Sequence, residues 1–171
     1  MGPRYVLMGP PGSGKTTVGR ALASALGVQR RDTDADVEQM AGKKIADIFL
    51  DEGEAHFREL EALAVAQAIT EHEGVLSLGG GAILDPGTQA LLEHYATNGG
   101  HVVFLDVSLH AAAQRVGLNA ARPLLMGNPR KQWAELMEAR RPIYQRLATM
   151  TVNTDHIRAE RIANEIVEAT P

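Results

Sequence analysis

The sequence predicts a three-layer α/β domain, a parallel five-stranded sheet with helices on both faces. Three observations carry that expectation. Short apolar runs of strand length alternate with longer segments of helical period, which implies parallel strands joined by helical crossovers. Residues 9–16 read Gly-Pro-Pro-Gly-Ser-Gly-Lys-Thr, a glycine loop set between the first such run and the first helical segment. Aspartates and glycines then follow the next predicted strands at their carboxyl ends, the edge where open sheets of this class hold ligands. A length of 171 residues with 44% hydrophobic content suits a single domain spanning residues 1–171, long enough to bury a sizeable core.

The elements follow in order. Tyr5-Val6-Leu7-Met8 is a buried-strand pattern. Apolar residues at 18, 21, 22, 25 and 26 give the first helix its face, and Gly27 stops it. A short extended stretch near 28–33 leads into Asp34, and two helical pieces cover about 35–51. Leu60, Leu63, Ala64, Ala68 and Ile69 form the apolar stripe of a long helix over roughly 53–73. Val75-Leu76-Ser77-Leu78 is a strand ending in Gly79-Gly80-Gly81, and a helix near 86–96 follows. Residues 101–106 are the clearest interior strand, and Ser108 is placed to cap a helix reaching about Arg115. Residues 117–128 lack periodicity. A helix from Arg130 to about Leu147 is expected to bend or break at Pro142. Residues 149–153 are a last strand and 159–169 a last helix.

Composition narrows the function classes. The chain has no cysteine, which excludes disulfides, thiolate metal sites and cysteine nucleophiles and suits a reducing cytoplasm. No apolar run approaches the roughly 20 residues that cross a bilayer, so no membrane association is expected. A net charge of −4 argues against a nucleic-acid platform. Between Arg115 and Arg146, however, seven basic residues face two acidic ones. That excess fits either an anionic ligand or chance clustering on a solvated helix.

The loop at 9–16 matches G-x-x-x-x-G-K-[ST]. Its mechanics are those of an anion cradle, with backbone N–H groups and a helix N-terminus converging on phosphate oxygens. Lys15 would reach the β- and γ-phosphates and the Thr16 hydroxyl would bind Mg²⁺. Asp32 and Asp34 are two apart, which in extended chain aims both carboxylates the same way. They read equally as a water-orienting and proton-accepting pair or as a helix-capping turn with Asp34 or Asp36 as the cap. Arg58 and Glu61 are i,i+3 neighbours, and alone would be read as a surface pair. Three consecutive glycines after a strand favour close approach of a ligand over a tight turn. Arg122-Pro123-Leu124-Leu125 fits a lid carrying a cation or a proline-stiffened loop.

Taken together these segments resemble the shikimate kinases, of the nucleoside-monophosphate-kinase-like phosphate-loop fold. The resemblance spans essentially the whole chain. It rests on the loop, Asp32-Thr33-Asp34, Gly53-Glu54 with Phe57-Arg58 and Glu61, residues 76–82, Arg122-Pro123-Leu124-Leu125, and Arg140-Arg141-Pro142-Ile143-Tyr144. It implies ATP-dependent phosphorylation of shikimate to shikimate 3-phosphate in chorismate and aromatic amino acid biosynthesis. It further implies that Gly12, Ser13, Gly14, Lys15, Thr16 and Thr17 hold the ATP phosphates, with Thr16 on Mg²⁺ and Asp32 assisting through water. Asp34 would bind the ring hydroxyls and take the proton of the one phosphorylated. Arg58 and Arg140 would hold the substrate carboxylate, with Glu61 fixing Arg58. Arg140 is chosen over Arg141 on the family spacing Arg-x-Pro-x-Tyr. Gly79, Gly80 and Gly81 would contact the ring, Phe49 and Phe57 would wall the pocket, and Arg115 would lie against adenine. Residues 33–61 would form the substrate-binding region and 117–128 a lid bringing Arg122 onto the phosphates. The usual Ser/Thr-Pro pair before the last helix is replaced by Asn153-Thr154-Asp155-His156. A cytoplasmic monomer is expected. The rival readings are another small-molecule kinase of the fold, such as a gluconate kinase, and a nucleotide-binding regulatory module without catalysis.

Overall fold

Alternation in the strands sets the layers. In β1 (Tyr5–Met8), Val6 and Met8 point to one face of the sheet and Tyr5 and Leu7 to the other, and all four are buried. A strand buried on both faces belongs at the centre of a covered parallel sheet, and β1 is the central strand. The computed structural model describes residues 2–117 and 127–171. Its sheet runs β2-β3-β1-β4-β5, parallel throughout, with β2 Arg30–Asp32, β3 Val75–Ser77, β4 His101–Asp106 and β5 Met150–Asn153.

One face packs on α1 (Lys15–Leu26) and α7 (Ala159–Ala169), where Leu7, Val103, Leu105 and Val152 meet Val18, Leu22, Ile162 and Ile166. The other face packs on α3 (Ile45–Glu71), α4 (Pro86–Thr97), α5 (Leu109–Val116) and α6 (Pro129–Leu147). There Phe104 of β4 stacks on Tyr144 of α6 with ring centroids 4.9 Å apart. A third, smaller cluster joins α2 (Thr33–Ala41) to α3 through Val37, Ile48, Phe57 and Ala64. The ends agree with their chemistry. Gly27 closes α1, Ser108 Oγ accepts from Ala111 N at the start of α5, and Asn128 caps α6.

Three expectations are corrected, while the expected break before the helix over 53–73 is present: Gly53 (φ 86°, ψ 169°) is non-helical and divides α3 into two helices across a kink. Its buried stripe holds Phe57, Glu61, Ala64, Val65 and Ala68, while Leu63 is exposed. A carboxylate takes a core position there because Arg58 neutralises it. The helix α6 runs unbroken through Pro142, because burial of Trp133, Met137, Tyr144 and Leu147 on both sides of the proline holds it against the sheet. Asp34 is helical rather than extended, and Asp32, not Asp34 or Asp36, is the N-cap of α2. A one-turn 3-10 helix at Ala82–Leu84 was not expected.

Candidate active site

The order of the strands puts a crevice at the carboxyl ends of β1 and β3, where the crossovers leave the sheet in opposite directions. A cleft of about 530 Å³ opens there. Its floor is the loop between β1 and α1, and Gly12, Gly14, Lys15, Thr16 and Thr17 line it. Gly12 and Gly14 have φ of 83° and 93°, conformations that glycine adopts without steric cost. Ser13 is fully buried behind them. Lys15 Nζ donates to the carbonyls of Gly9 at 2.7 Å and Pro10 at 3.0 Å. Burial lowers its pKa to about 8, and Asp34 and Asp32 oppose that shift.

Asp32 and Asp34 line the cleft from the end of β2. Asp32 Oδ1 accepts the Asp34 N–H at 2.9 Å, so the capping turn and the paired carboxylates are one structure. Burial pushes the Asp34 carboxyl up to about 6, helped by repulsion from Asp32 and Glu61 and resisted by Lys15. Such a group accepts a proton near neutrality better than an ordinary aspartate. Among the described residues no cluster of three or more histidine or acidic side chains stands ready for a metal. The oxygen donors beside the loop are the Thr16 hydroxyl and Asp32. That set suits a hard cation that keeps its waters and takes phosphate oxygens, as Mg²⁺ does. Asp32 already accepts from Asp34 N at Oδ1 and from Arg30 Nη1 at Oδ2, which suits contact through water.

Arg140 and Arg58 lie next to Gly80 and Gly81 but are not among the residues lining this cleft. Arg140 Nη1 lies 3.4 Å from where a Cβ on Gly80 would sit. Arg141, the next residue, turns away, and its Nη1 donates to both carboxylate oxygens of Asp106, at 2.8 and 2.7 Å. Arg58 Nη1 donates to Glu61 Oε1 at 2.7 Å. Its guanidinium lies 5.2 Å from the Phe57 ring centroid, and Phe57 packs on Phe49 at 4.8 Å. Burial raises the Glu61 pKa against the pull of Arg58. The close approach expected at the glycines is in part made by the protein itself. A Cβ on Gly79 would stand 2.6 Å from Asp34 Oδ1, and one on Gly81 would stand 2.4 Å from Arg58 Nη1. Only Gly80 of the three lines the cleft.

Arg115 lines the cleft but is engaged with the protein, donating to Gly12 O at 3.0 Å and to the carbonyl of Thr154. Arg122 and most of the expected 117–128 lid lie outside the described residues. Sequence reasoning gave no role to Thr33, which accepts Gly79 N at 3.0 Å, or to Tyr144, which donates to Gly80 O at 2.5 Å. It also passed over Trp133 and Thr154, which hold the phosphate-loop carbonyls. No local signal distinguishes those residues, because their partners are distant in the chain.

Comparison with known proteins agrees with this geometry. A family model described as shikimate kinase matches residues 11–171. The shikimate kinase of Streptomyces coelicolor is 54% identical over 98% of this chain and 95% of its own. That of Salinispora tropica is 54% identical over 100% and 99%. A structure of Acinetobacter baumannii shikimate kinase in complex with shikimate superposes with a TM-score of 0.88, at 34% identity over 98% of this chain and 92% of that one. A gluconokinase from Sinorhizobium meliloti, 22% identical with a TM-score of 0.59, shares the fold alone. The chain belongs to the shikimate kinase family.

Proposed function

We propose that this chain transfers the γ-phosphoryl group of ATP to the 3-hydroxyl of shikimate through the residues gathered in the cleft. One observation carries the reading. Asp34 lines the cleft with Lys15 of the phosphate loop, and side chains built on Gly79, Gly80 and Gly81 would meet Asp34, Arg140 and Arg58 in turn, which supports reading Asp34 as a proton acceptor beside a phosphate cradle and a carboxylate-binding pair.

The substrate carboxylate binds Arg58 and Arg140, planar forks matched to its two oxygens. Glu61 fixes Arg58, and Asp34 accepts a hydrogen bond from the 3-hydroxyl. Gly79, Gly80 and Gly81 border the ring, and Phe49 and Phe57 wall its far side. As the 3-hydroxyl oxygen bonds to the γ-phosphorus, the bond from that phosphorus to the β,γ-bridging oxygen breaks, ADP leaves, and the hydroxyl proton passes to Asp34. Gly12, Gly14, Lys15, Thr16 and Thr17 hold the phosphates, with Ser13 buried behind them and its N–H bonded to Pro10 O, and Lys15 exchanges a loop carbonyl for a phosphate oxygen. When bound, Mg²⁺ supplies neutralisation of the β- and γ-phosphates, with Thr16 holding it directly and Asp32 through water. Arg115 lies beside the nucleotide and Arg122 meets the phosphates when a lid over 117–128 closes. Such transfer is mostly positioning and charge stabilisation, so no covalent intermediate is needed. Residues 33–61 form the substrate-binding region of a single domain, working as a cytoplasmic monomer without nucleic acid. Among the described residues no helix is long and apolar enough to cross a membrane.

A coupled assay for ADP release, run in parallel with shikimate, gluconate and nucleoside monophosphates, tests the reading. Turnover is expected with shikimate alone. Equal or faster turnover with gluconate would overturn the substrate assignment, and no turnover with any acceptor would leave a nucleotide-binding module.

A further inference from the structure

The phosphate loop has few N–H groups to offer, and their direction is set from outside it. Pro10 and Pro11 carry none, and the Ser13 N–H is spent on Pro10 O at 3.1 Å. The N–H groups of Gly12 and Gly14 donate to no described residue. Each shares a peptide plane with a carbonyl that a remote side chain holds. Trp133 Nε1, from α6, donates to Pro11 O at 2.9 Å. Thr154 Oγ1, just past β5, donates to Ser13 O at 2.9 Å. In a trans peptide the C=O and N–H point in opposite directions, and no cis bond is described. Drawing the Pro11 and Ser13 carbonyls toward Trp133 and Thr154 therefore turns the Gly12 and Gly14 N–H groups away from those side chains, and both glycines line the cleft. Trp133 is 6% exposed and Thr154 1%. Trp133 loses its partner if its loop peptide flips and so resists the flip, and Thr154 Oγ1, which has Asp106 O at 3.2 Å as a second acceptor, favours the nearer Ser13 O.

We infer that Trp133 and Thr154 are positioning residues for nucleotide binding, which preset the Gly12 and Gly14 amides toward phosphate oxygens. The inference rests on the reading that this loop holds ATP. Thr154 also accepts Arg115 Nη1 at 3.1 Å, and that same nitrogen lies 3.0 Å from Gly12 O. The outer side of the loop is thus held from α5, α6 and the end of β5 together.

Calorimetry on the full chain with ADP tests this, using Trp133→Phe, Thr154→Val and Thr154→Ser. Loss of one orienting bond should raise Kd for ADP about 10-fold in the first two variants. Adenosine, tested as a competitor, and the KM for shikimate should change less than about twofold, since neither ligand uses the loop amides. Thr154→Ser keeps the hydroxyl and should restore wild-type ADP affinity. A role in folding alone would instead lower Tm and weaken every ligand alike, which would overturn the inference, as would unchanged ADP affinity. Should the variants not fold, the wild-type chain decides the matter. Trp133 is its single tryptophan, so its emission should shift saturably with ADP and not with adenosine, and a flat response overturns the proposal. A wild-type chain that does not bind ADP would sink the nucleotide reading along with this one. Unaffected variants beside an ADP-binding wild type sink this one alone.

Discussion

Replacing Asp34 by Asn should make the ligand-free protein more stable at neutral pH while removing its activity. The Asp34 carboxyl is pushed up to about 6 from 3.8, chiefly by burial and then by Asp32 and Glu61. An aspartate whose folded pKa is raised stabilises the fold fully below its unfolded pKa, near 3.8, and that contribution is lost as pH rises through about 6. The gap of about two pKa units corresponds to about 3 kcal/mol of instability at pH 7. Asp34 returns part of this by helping to keep Lys15 charged, since Lys15 is lowered to about 8 by burial and supported first by Asp34. The net gain in Asp34→Asn is therefore about 1–2 kcal/mol at pH 7, or about 3–6 °C in Tm for a domain of this size. Urea or thermal unfolding without ligands, followed from about pH 3.5 to about pH 7, reads it directly. The two proteins should coincide at the acid end and diverge as Asp34 ionises. The same variant should lose about 100-fold or more in kcat, as befits a lost proton acceptor. A variant less stable than wild type at pH 7, or a stability difference that does not change with pH, would refute the reasoning.

Three further outcomes are expected. Lys15→Ala should keep the fold and lower kcat by about 100-fold or more, measured in the coupled assay, because its contact is with the transferring group. Arg58→Ala and Arg140→Ala should each raise KM for shikimate by about 10- to 100-fold with a much smaller change for ATP. A shikimate analogue with an amide in place of the carboxylate should impair these variants no further, and full additivity would count against the pairing. Gly79→Ala brings a Cβ within 2.6 Å of Asp34 Oδ1 and 2.8 Å of Glu61 Oε2. An ångström-scale displacement of Asp34 should lower kcat by about 100-fold, and circular dichroism should show whether the fold survives.

What the sequence made legible was local. The strands, the glycine loop and most helix ends follow from period, capping and turn chemistry within a few residues, and these signals do not need the fold. Residues whose role depends on distant partners were not legible. Trp133 meets Pro11 across 122 positions and Thr154 meets Ser13 across 141, so each reads in isolation as an ordinary buried side chain. The triple glycine was half legible. Its lack of side chains signals close approach, but only the structure shows that Asp34, Glu61 and Arg58 are the groups approaching Gly79 and Gly81. Leu63 and Glu61 exchanged expected places because hydrophobic period assigns an apolar residue to the core and a carboxylate to solvent. Arg58, bonded to Glu61, reverses that for Glu61.

The adjacent arginines show where helical geometry reconciles the two views. Trp133, Met137, Arg140 and Tyr144 fall at i, i+4, i+7 and i+11, one stripe of α6. Two of them grip the cleft's walls, Trp133 at Pro11 and Tyr144 at Gly80, and so fix the rotation of the helix about its own axis. Arg140 lies on that stripe and is carried to Gly80, where its charge acts on Lys15 and Glu61. Arg141 is about 100° further round and meets Asp106 at the end of β4 instead. The Arg-x-Pro-x-Tyr spacing is thus an i,i+4 pair, Arg140 with Tyr144, and the Arg140 charge opposes the burial that pushes the phenol pKa up to about 12. A spacing used to choose between two identical residues has a physical content, which is that both members must share the helix face turned toward Gly80.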